Sequence, residues 1–274
     1  MADVQTQIDL EERYAKNHLV KRIKKELIAN GFVEFLNEKD IPELFGIDLI
    51  TQMILHKRAK VNVLIGLLWF HFRNQENQGT NPFQACADML KKAVEADVVD
   101  FSHIDDRFIL KYDLPRAIQK EIDMYQFPLP MVVHPKKVTN NRETGYYTIR
   151  ESVILKNNHH DEDVVLEHLN KCNSVKLCLN IDTVRLVQNQ WRNLDKLKPG
   201  ETVKDWQKRV KAFEKYDASS REVIESLYIM GNEFWLTHRY DKRGRTYAVG
   251  YHVNTQGNDW NKAVVEFADK EELR

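Results

Sequence analysis

Apolar positions recur at helical spacing through most of the first hundred residues. Ile8, Leu10, Tyr14, Leu19, Ile23 and Leu27 predict one amphipathic helix from residue 6 to about 30, with Lys21-Arg22 and Lys24-Lys25 on its solvated face and Gly31 as its C-cap. Asp40-Ile41-Pro42-Glu43 predicts the next start, with Asp40 or Ile41 near the cap and Pro42 in the first turn. The apolar stripe continues through Phe45, Leu49, Met53, Leu64, Leu68 and Phe72, and a further helix opens at Asn81-Pro82. This Met and aromatic stripe reads as core, and His56 and His71 read as surface or core-edge residues.

The period changes near residue 98. Val98–Phe101 and Phe108–Tyr112 are short β-prone runs, and Pro115 predicts a helix that ends before Tyr125. Three prolines bracket the apolar stretch 128–135 and force an extended path. Tyr146–Leu155 alternates as a strand, and residues 164–190 return to helical spacing. Lys198-Pro199-Gly200 is expected to split the basic window 185–215 into a helical hairpin, Ser219-Ser220 to start another helix, and Phe234–Leu236 to form a short strand. The fold class expected is mainly α with small β elements.

Composition narrows the function classes. Lys plus Arg equals Asp plus Glu at 41 each in 274 residues, so any nucleic-acid role rests on local clusters rather than on a global field. Three cysteines, Cys86, Cys172 and Cys178, with no framework spacing point to reduced thiols. The start lacks an apolar signal region, and the apolar run around Val61–Phe72 is too short and interrupted to span a bilayer. A soluble intracellular protein is expected. His159, His160, Asp161, Glu162 and Asp163 resemble metal-ligand material, but a solvated polar turn is the better reading and no metal is expected there.

The densest chemistry lies near the C-terminal end. Asp241-Lys-Arg-Gly-Arg245 packs three cations, one carboxylate and one glycine into five residues. Guanidinium forks match phosphate oxygens bidentately, and Gly244 lets the main chain approach closely. The following Thr246–Val253 alternates, so the basic cluster is expected to open a strand.

This block, Asp-x-x-Gly-Arg followed by Tyr247-Ala248-Val249 and Gln256-Gly257-Asn258-Asp259, resembles the signature of the single-subunit phage and mitochondrial RNA polymerases. In that family it sits at the edge of the palm and holds template and RNA–DNA hybrid. The proline-rich segment with its glycine turn, and Asn173–Asn180 with Asn180 in the last place of a W-x-I-N element, are similar to further family segments in part. The resemblance implies a helical N-terminal domain over 1–183, a thumb-like helical hairpin over 184–233 and the start of a palm over 234–274. It implies nucleic-acid contacts by Asp241, Arg243, Gly244, Arg245, Tyr247, Gln256 and Asn258, and by Lys204, Lys208 and Lys211 of the thumb. Arg243 and Arg245 would meet phosphates, Asp241 would orient a guanidinium or a neighbouring backbone group, Tyr247 would stack or hydrogen-bond near the template base, and Gln256, Asn258 and Asp259 would support the loop.

The catalytic acids of that family follow the signature, and no matching motif for them occurs in this sequence. The chain begins with Met and ends between elements, so it is expected to be the small subunit of a two-subunit bacteriophage DNA-directed RNA polymerase. No catalytic residue and no cofactor is then expected on this chain, with Mg held by the larger catalytic subunit of the heterodimer. Template DNA, nascent RNA and a single-stranded-DNA-binding or promoter-melting factor are the other expected partners, no membrane is involved, and the location implied is the host-cell cytoplasm. Val264, Val265 and Phe267 are expected at the subunit interface. The alternative is a nucleic-acid-binding accessory protein of phage replication or transcription without polymerase activity. A third reading is a complete enzyme with its own site around His159, His160 and Glu162.

Overall fold

The computed structural model describes residues 2–78, 81–112, 114–124, 126–157, 162 and 164–270. It is mainly helical with small antiparallel sheets. The chain divides into two compact units, Met1–Lys16 with Met124–Arg274, and Asn17–Asp123. The segments 184–233 and 234–274 both lie in the first of these.

In chain order the helices of the front half are α1 (Val4–Arg13), α2 (Lys16–Ala29), α3 (Phe32–Glu38), α4 (Glu43–His56), α5 (Val61–Leu68), α6 (Pro82–Glu95) and α7 (Arg116–Met124). The helix expected over 6–30 is two helices. The break falls at Tyr14 and Ala15, both buried, and α1 turns two polar side chains, Gln7 and Glu11, inward instead of an apolar stripe. Gly31 adopts a left-handed conformation just past α2, as a C-cap requires. Pro42 is itself the cap of α4, while Asp40 has positive φ and pairs with Lys92. Asn81 caps α6 with its side chain on the Phe83 amide.

The Asn17–Asp123 unit buries one continuous apolar core, including Leu36, Phe45, Leu49, Met53, Leu64 and Leu90. Each such fully buried side chain contributes roughly 1.5–3 kcal/mol. Strands β1 (Arg58–Lys60), β2 (Asp100–Ser102) and β3 (Arg107–Ile109) form an antiparallel sheet in the order β1-β3-β2, with Phe108 opposite both Ala59 and Phe101.

The other unit carries α8 (Leu166–Asn173), β4 (Leu177–Leu179), α9 (Ile181–Leu186), α10 (Val203–Ile229), β5 (His238–Tyr240), β6 (Thr246–Ala248), α11 (Asp259–Val264) and β7 (Val265–Phe267). Residues 164–190 are therefore not one helix, because β4 interrupts them to pair with β7 and, through Leu177, with Phe234. Val264 is fully buried and Val265 packs against the same core, whereas Phe267 is exposed.

The alternating stretch 146–155 forms no strand beyond a bridge at Ile154. Side chains take its backbone hydrogen bonds instead. The Glu11 carboxylate accepts the amides of Tyr147 (2.9 Å) and Thr148 (2.6 Å), the Thr148 hydroxyl (2.8 Å) and Gln7 Nε2 (2.9 Å). A buried carboxylate is tolerated only with such donors. Gln7 Oε1 accepts the Val132 amide, so α1 holds the proline-rich segment as well.

The expected helical hairpin over 185–215 is absent; residues 187–202 are irregular and fold onto a single 27-residue α10. Arg209 bonds the carbonyls of Asn193 and Lys196 and both oxygens of Glu201, and Trp206 bonds the Leu194 carbonyl. These side chains satisfy carbonyls that a helix would have paired internally. Nor does a helix start at Ser219-Ser220. Ser220 is buried within α10, on the face that Tyr216, Val223, Ile224 and Leu227 share.

Among the described residues no helix is long and apolar enough to cross a membrane. The three thiols are free, and burial pushes that of Cys86 up to about 11. His159, His160, Asp161 and Asp163 lie outside the described residues.

Candidate nucleic-acid interface

Strands β5 and β6 pair antiparallel with Arg239 opposite Tyr247. The Asp241–Arg245 cluster is the turn between them. The Asp241 amide donates to the Arg245 carbonyl, and the Gly244 amide to the Asp241 carbonyl, each at 2.9 Å. Three residues, Lys242, Arg243 and Gly244, thus make the bend, and the last of them must be left-handed for the strands to continue. Gly244 has φ +77°, and a Cβ there would meet nothing within 4 Å. Its role is conformational, not the avoidance of a clash.

The carboxylate of Asp241 organises this turn from inside. Oδ1 accepts the amides of Arg243 (2.9 Å) and Arg245 (3.0 Å); Oδ2 accepts Arg245 Nε (2.8 Å), Arg243 Nη2 (3.2 Å) and Nε (3.3 Å), and the Tyr247 hydroxyl (3.4 Å). The acid is 14% exposed, whereas Arg243 and Arg245 are 64% and 53% exposed. Burial raises the pKa of Asp241, but the backbone and side-chain hydrogen bonds from Arg245 outweigh it and hold it below the usual carboxylate value. The same hydrogen bond pushes Arg245 upward. The Arg245 guanidinium also lies 5.6 Å from the Tyr247 ring centroid. Two forks are held in fixed directions with their outer edges in solvent, as bidentate phosphate recognition requires. The carboxylate is already committed to six N–H and O–H groups, so it is poorly suited to ligate a metal.

Gln256 backs the hairpin. Its Oε1 accepts the Ala248 amide (2.9 Å) and its Nε2 donates to the Thr246 carbonyl (3.1 Å), so the side chain pairs the outer edge of β6 as a third strand would. Asn258 caps α11 and donates to Asn189 Oδ1 (2.9 Å); Asn189 in turn donates to Asp217 on α10 (2.8 Å). Asn261 donates to the Tyr216 hydroxyl at 2.7 Å. A Cβ at Gly257 would stand 2.9 Å from that of Asn261, so this approach needs glycine. The Gln256–Asn258 block therefore fastens the hairpin to the middle of α10. Asp259, in contrast, is exposed near Arg192 and Lys262.

Lys204, Lys208 and Lys211 are exposed on the N-terminal half of α10, where the spacing keeps them on one face. Lys208 lies 3.5 Å from Asp205. No hydrogen bond or ion pair among the described residues joins these lysines to the hairpin. Lys204 precedes Tyr216 by three turns, roughly 18 Å along the axis.

Several supporting residues carried no signal in the sequence. Glu11 reads as a solvated helix residue, because the amides it bonds lie more than 130 positions away. Arg239 of β5 pairs with Glu151, 88 positions away. His238 is half-buried with Nδ1 3.0 Å from Asn173 Oδ1; partial burial, aided by His168, lowers it to about 4. Burial lowers His252 to about 4 as well, within a nest of Phe127, Tyr216 and Tyr251. A histidine within an alternating run could have flagged either, but only as an inward-facing position.

No family model matches the sequence. In an alignment 169 residues long that covers 52% of the chain, it is 26% identical to a protein described as a probable DNA-directed RNA polymerase in Agaricus bitorquis. That match covers 15% of the Agaricus protein's length. The similarity relates the chain in sequence to a DNA-directed RNA polymerase.

Proposed function

We propose that this chain is the nucleic-acid-holding part of a DNA-directed RNA polymerase, the small subunit of a split phage enzyme. Its hairpin contacts the phosphates of template or RNA–DNA hybrid through Arg243 and Arg245. The observation that carries the reading is the Asp241 carboxylate, which holds both guanidiniums and their amides while leaving the forks in solvent. The signature block and the sequence similarity to a probable DNA-directed RNA polymerase support it.

Under this reading a larger partner subunit supplies the carboxylates and Mg for nucleotidyl transfer, chemistry in which two metal ions clamp the attacking and leaving oxygens. This chain contributes position, holding the backbone so that the hybrid end stays in register. The exposed lysine strip on α10 adds a second, looser contact to the backbone.

The test is primer extension with ribonucleotides on a preformed-bubble template. It compares this chain alone, the large subunit alone, the mixture, and the mixture with Arg245→Ala. Extension only in the mixture, cut roughly tenfold or more by the substitution, is the expected result; tenfold corresponds to about 1.4 kcal/mol. Full extension by the large subunit alone, or none in any mixture, would reduce this chain to a nucleic-acid-binding accessory protein.

A further inference from the structure

A cleft of about 490 Å³ opens along the segment between Lys136 and Arg150. Its wall carries four cations, Lys136, Lys137, Arg142 and Arg150, and one carboxylate, Glu143. In a chain whose charges balance at 41 each, this is a marked local excess. Glu143 is turned to its own loop, where it accepts the Thr139 amide (3.1 Å) and hydroxyl (2.9 Å), and those bonds hold its pKa below the usual value. Lys136 is fixed along the wall, donating to the Tyr147 carbonyl at 3.2 Å. Lys137 and Arg150 are exposed, with no ion pair or side-chain hydrogen bond among the described residues.

The frame of the cleft is built rather than loose. The Lys136 amide donates to the Gly145 carbonyl (2.9 Å), Asn170 bonds both the amide and the carbonyl of Val138, and Glu11 holds the Tyr147 and Thr148 amides. The backbone that carries these cations is already ordered, so binding need immobilise only the side chains. The cleft also adjoins the hairpin. Glu151, next to Arg150, pairs with Arg239 of β5, and the Tyr240 amide donates to the Val153 carbonyl at 2.7 Å. The segment that carries Arg150 thus runs beside β5, which leads into Asp241.

We infer that this cleft is a second phosphate-binding site, which holds the backbone of a single nucleic-acid strand on Lys137 and Arg150. The inference deepens the proposed function and rests on it for the class of ligand. The volume suits a nucleotide-sized group, since small-ligand sites span roughly 300–1,000 Å³. A flexible single strand can bend into such a recess; a straight duplex cannot.

The test is fluorescence anisotropy of a labelled single-stranded oligodeoxynucleotide, titrated at several salt concentrations. Three proteins are compared: the full chain, Lys137→Gln/Arg150→Gln, and Arg243→Gln/Arg245→Gln. The cleft variant is expected to bind about tenfold more weakly and to lose about 1.4 from the magnitude of its log–log salt slope, two phosphate contacts at roughly 0.7 each. Its melting temperature should be unchanged, because both side chains are exposed and unpaired. Unchanged affinity and slope in the cleft variant, with loss in the hairpin variant, would overturn the cleft and leave the hairpin reading intact. Loss in the cleft variant alone would keep the cleft and remove the hairpin reading. Complete displacement of the oligonucleotide by tripolyphosphate at equal phosphate concentration would assign the cleft to a free polyphosphate and overturn the strand assignment.

Discussion

Asp241 bonds Arg245 twice, at the backbone amide through Oδ1 (3.0 Å) and at Nε through Oδ2 (2.8 Å). The carboxylate therefore sets both the path of the turn and the direction of its outward guanidinium. This separates two roles that simple charge counting would merge. Asp241→Asn removes a negative charge from the cluster, so electrostatics alone favours tighter non-specific binding of oligonucleotides. If the role is orientation, primer extension should fall in that variant while oligonucleotide binding at low salt holds or rises. A parallel loss of both would assign Asp241 to simple folding of the loop.

Gly244→Ala is a clean test of the turn. Nothing stands near the new Cβ, so the cost is the left-handed backbone alone, about 1–2 kcal/mol. Gly244→Asn should cost less, because asparagine tolerates that region. Denaturant unfolding of the two variants should show this order, and equal stability of alanine and glycine would mean that the turn adopts another conformation.

Glu11→Ala strips two backbone amides of their acceptor at a site only 2% exposed. Each unsatisfied buried group costs about 1–3 kcal/mol, so a loss of several kcal/mol is expected. Hydrogen exchange should speed up at Tyr147 and Thr148 in particular. Glu12→Ala, one position along the same helix and exposed, serves as the control.

Stability should fall on mild acidification. His238 and His252 have folded-state values lowered to about 4, against an unfolded value near 6.5. Between those limits the unfolded chain binds protons that the folded chain refuses. Stability is thus fully present above about pH 6.5 and declines as pH falls toward 4, by up to about 1.4 kcal/mol per unit for each histidine. His252→Gln should flatten this slope by about half in urea unfolding across that range; an unchanged slope would place the titration elsewhere.

Local patterns proved legible where the partner of a residue is its near neighbour. Asn81-Pro82 opens α6, Pro115 precedes α7, and Gly31 is left-handed just past α2 as a C-cap requires. The charge cluster and the strand after it are legible for the same reason, since Asp241 bonds residues only two to six positions ahead; the left-handed turn at Gly244, read as room for close approach, is not. The misreadings share the opposite cause. Residues 146–155 alternate like a strand, yet Glu11 takes the amides of two of them; the stretch before Lys198 reads as the first helix of a hairpin, yet Arg209 and Trp206 take its carbonyls. A backbone group satisfied by a distant side chain leaves no period in the sequence.

The sequence by itself determined a mainly helical chain with small sheets, balanced charge, and one five-residue cluster of three cations, a carboxylate and a glycine. Helix periodicity, capping and a five-residue charge cluster all act within a few residues, so they can be read in order. Only the tertiary structure decided that Gln256 completes the hairpin as a strand edge, that Asn258 and Asn261 tie it to α10, and that Lys137 and Arg150 line one cleft. Those arrangements depend on long-range closure, where hydrogen-bond satisfaction and burial choose among many pairings that local spacing leaves equal.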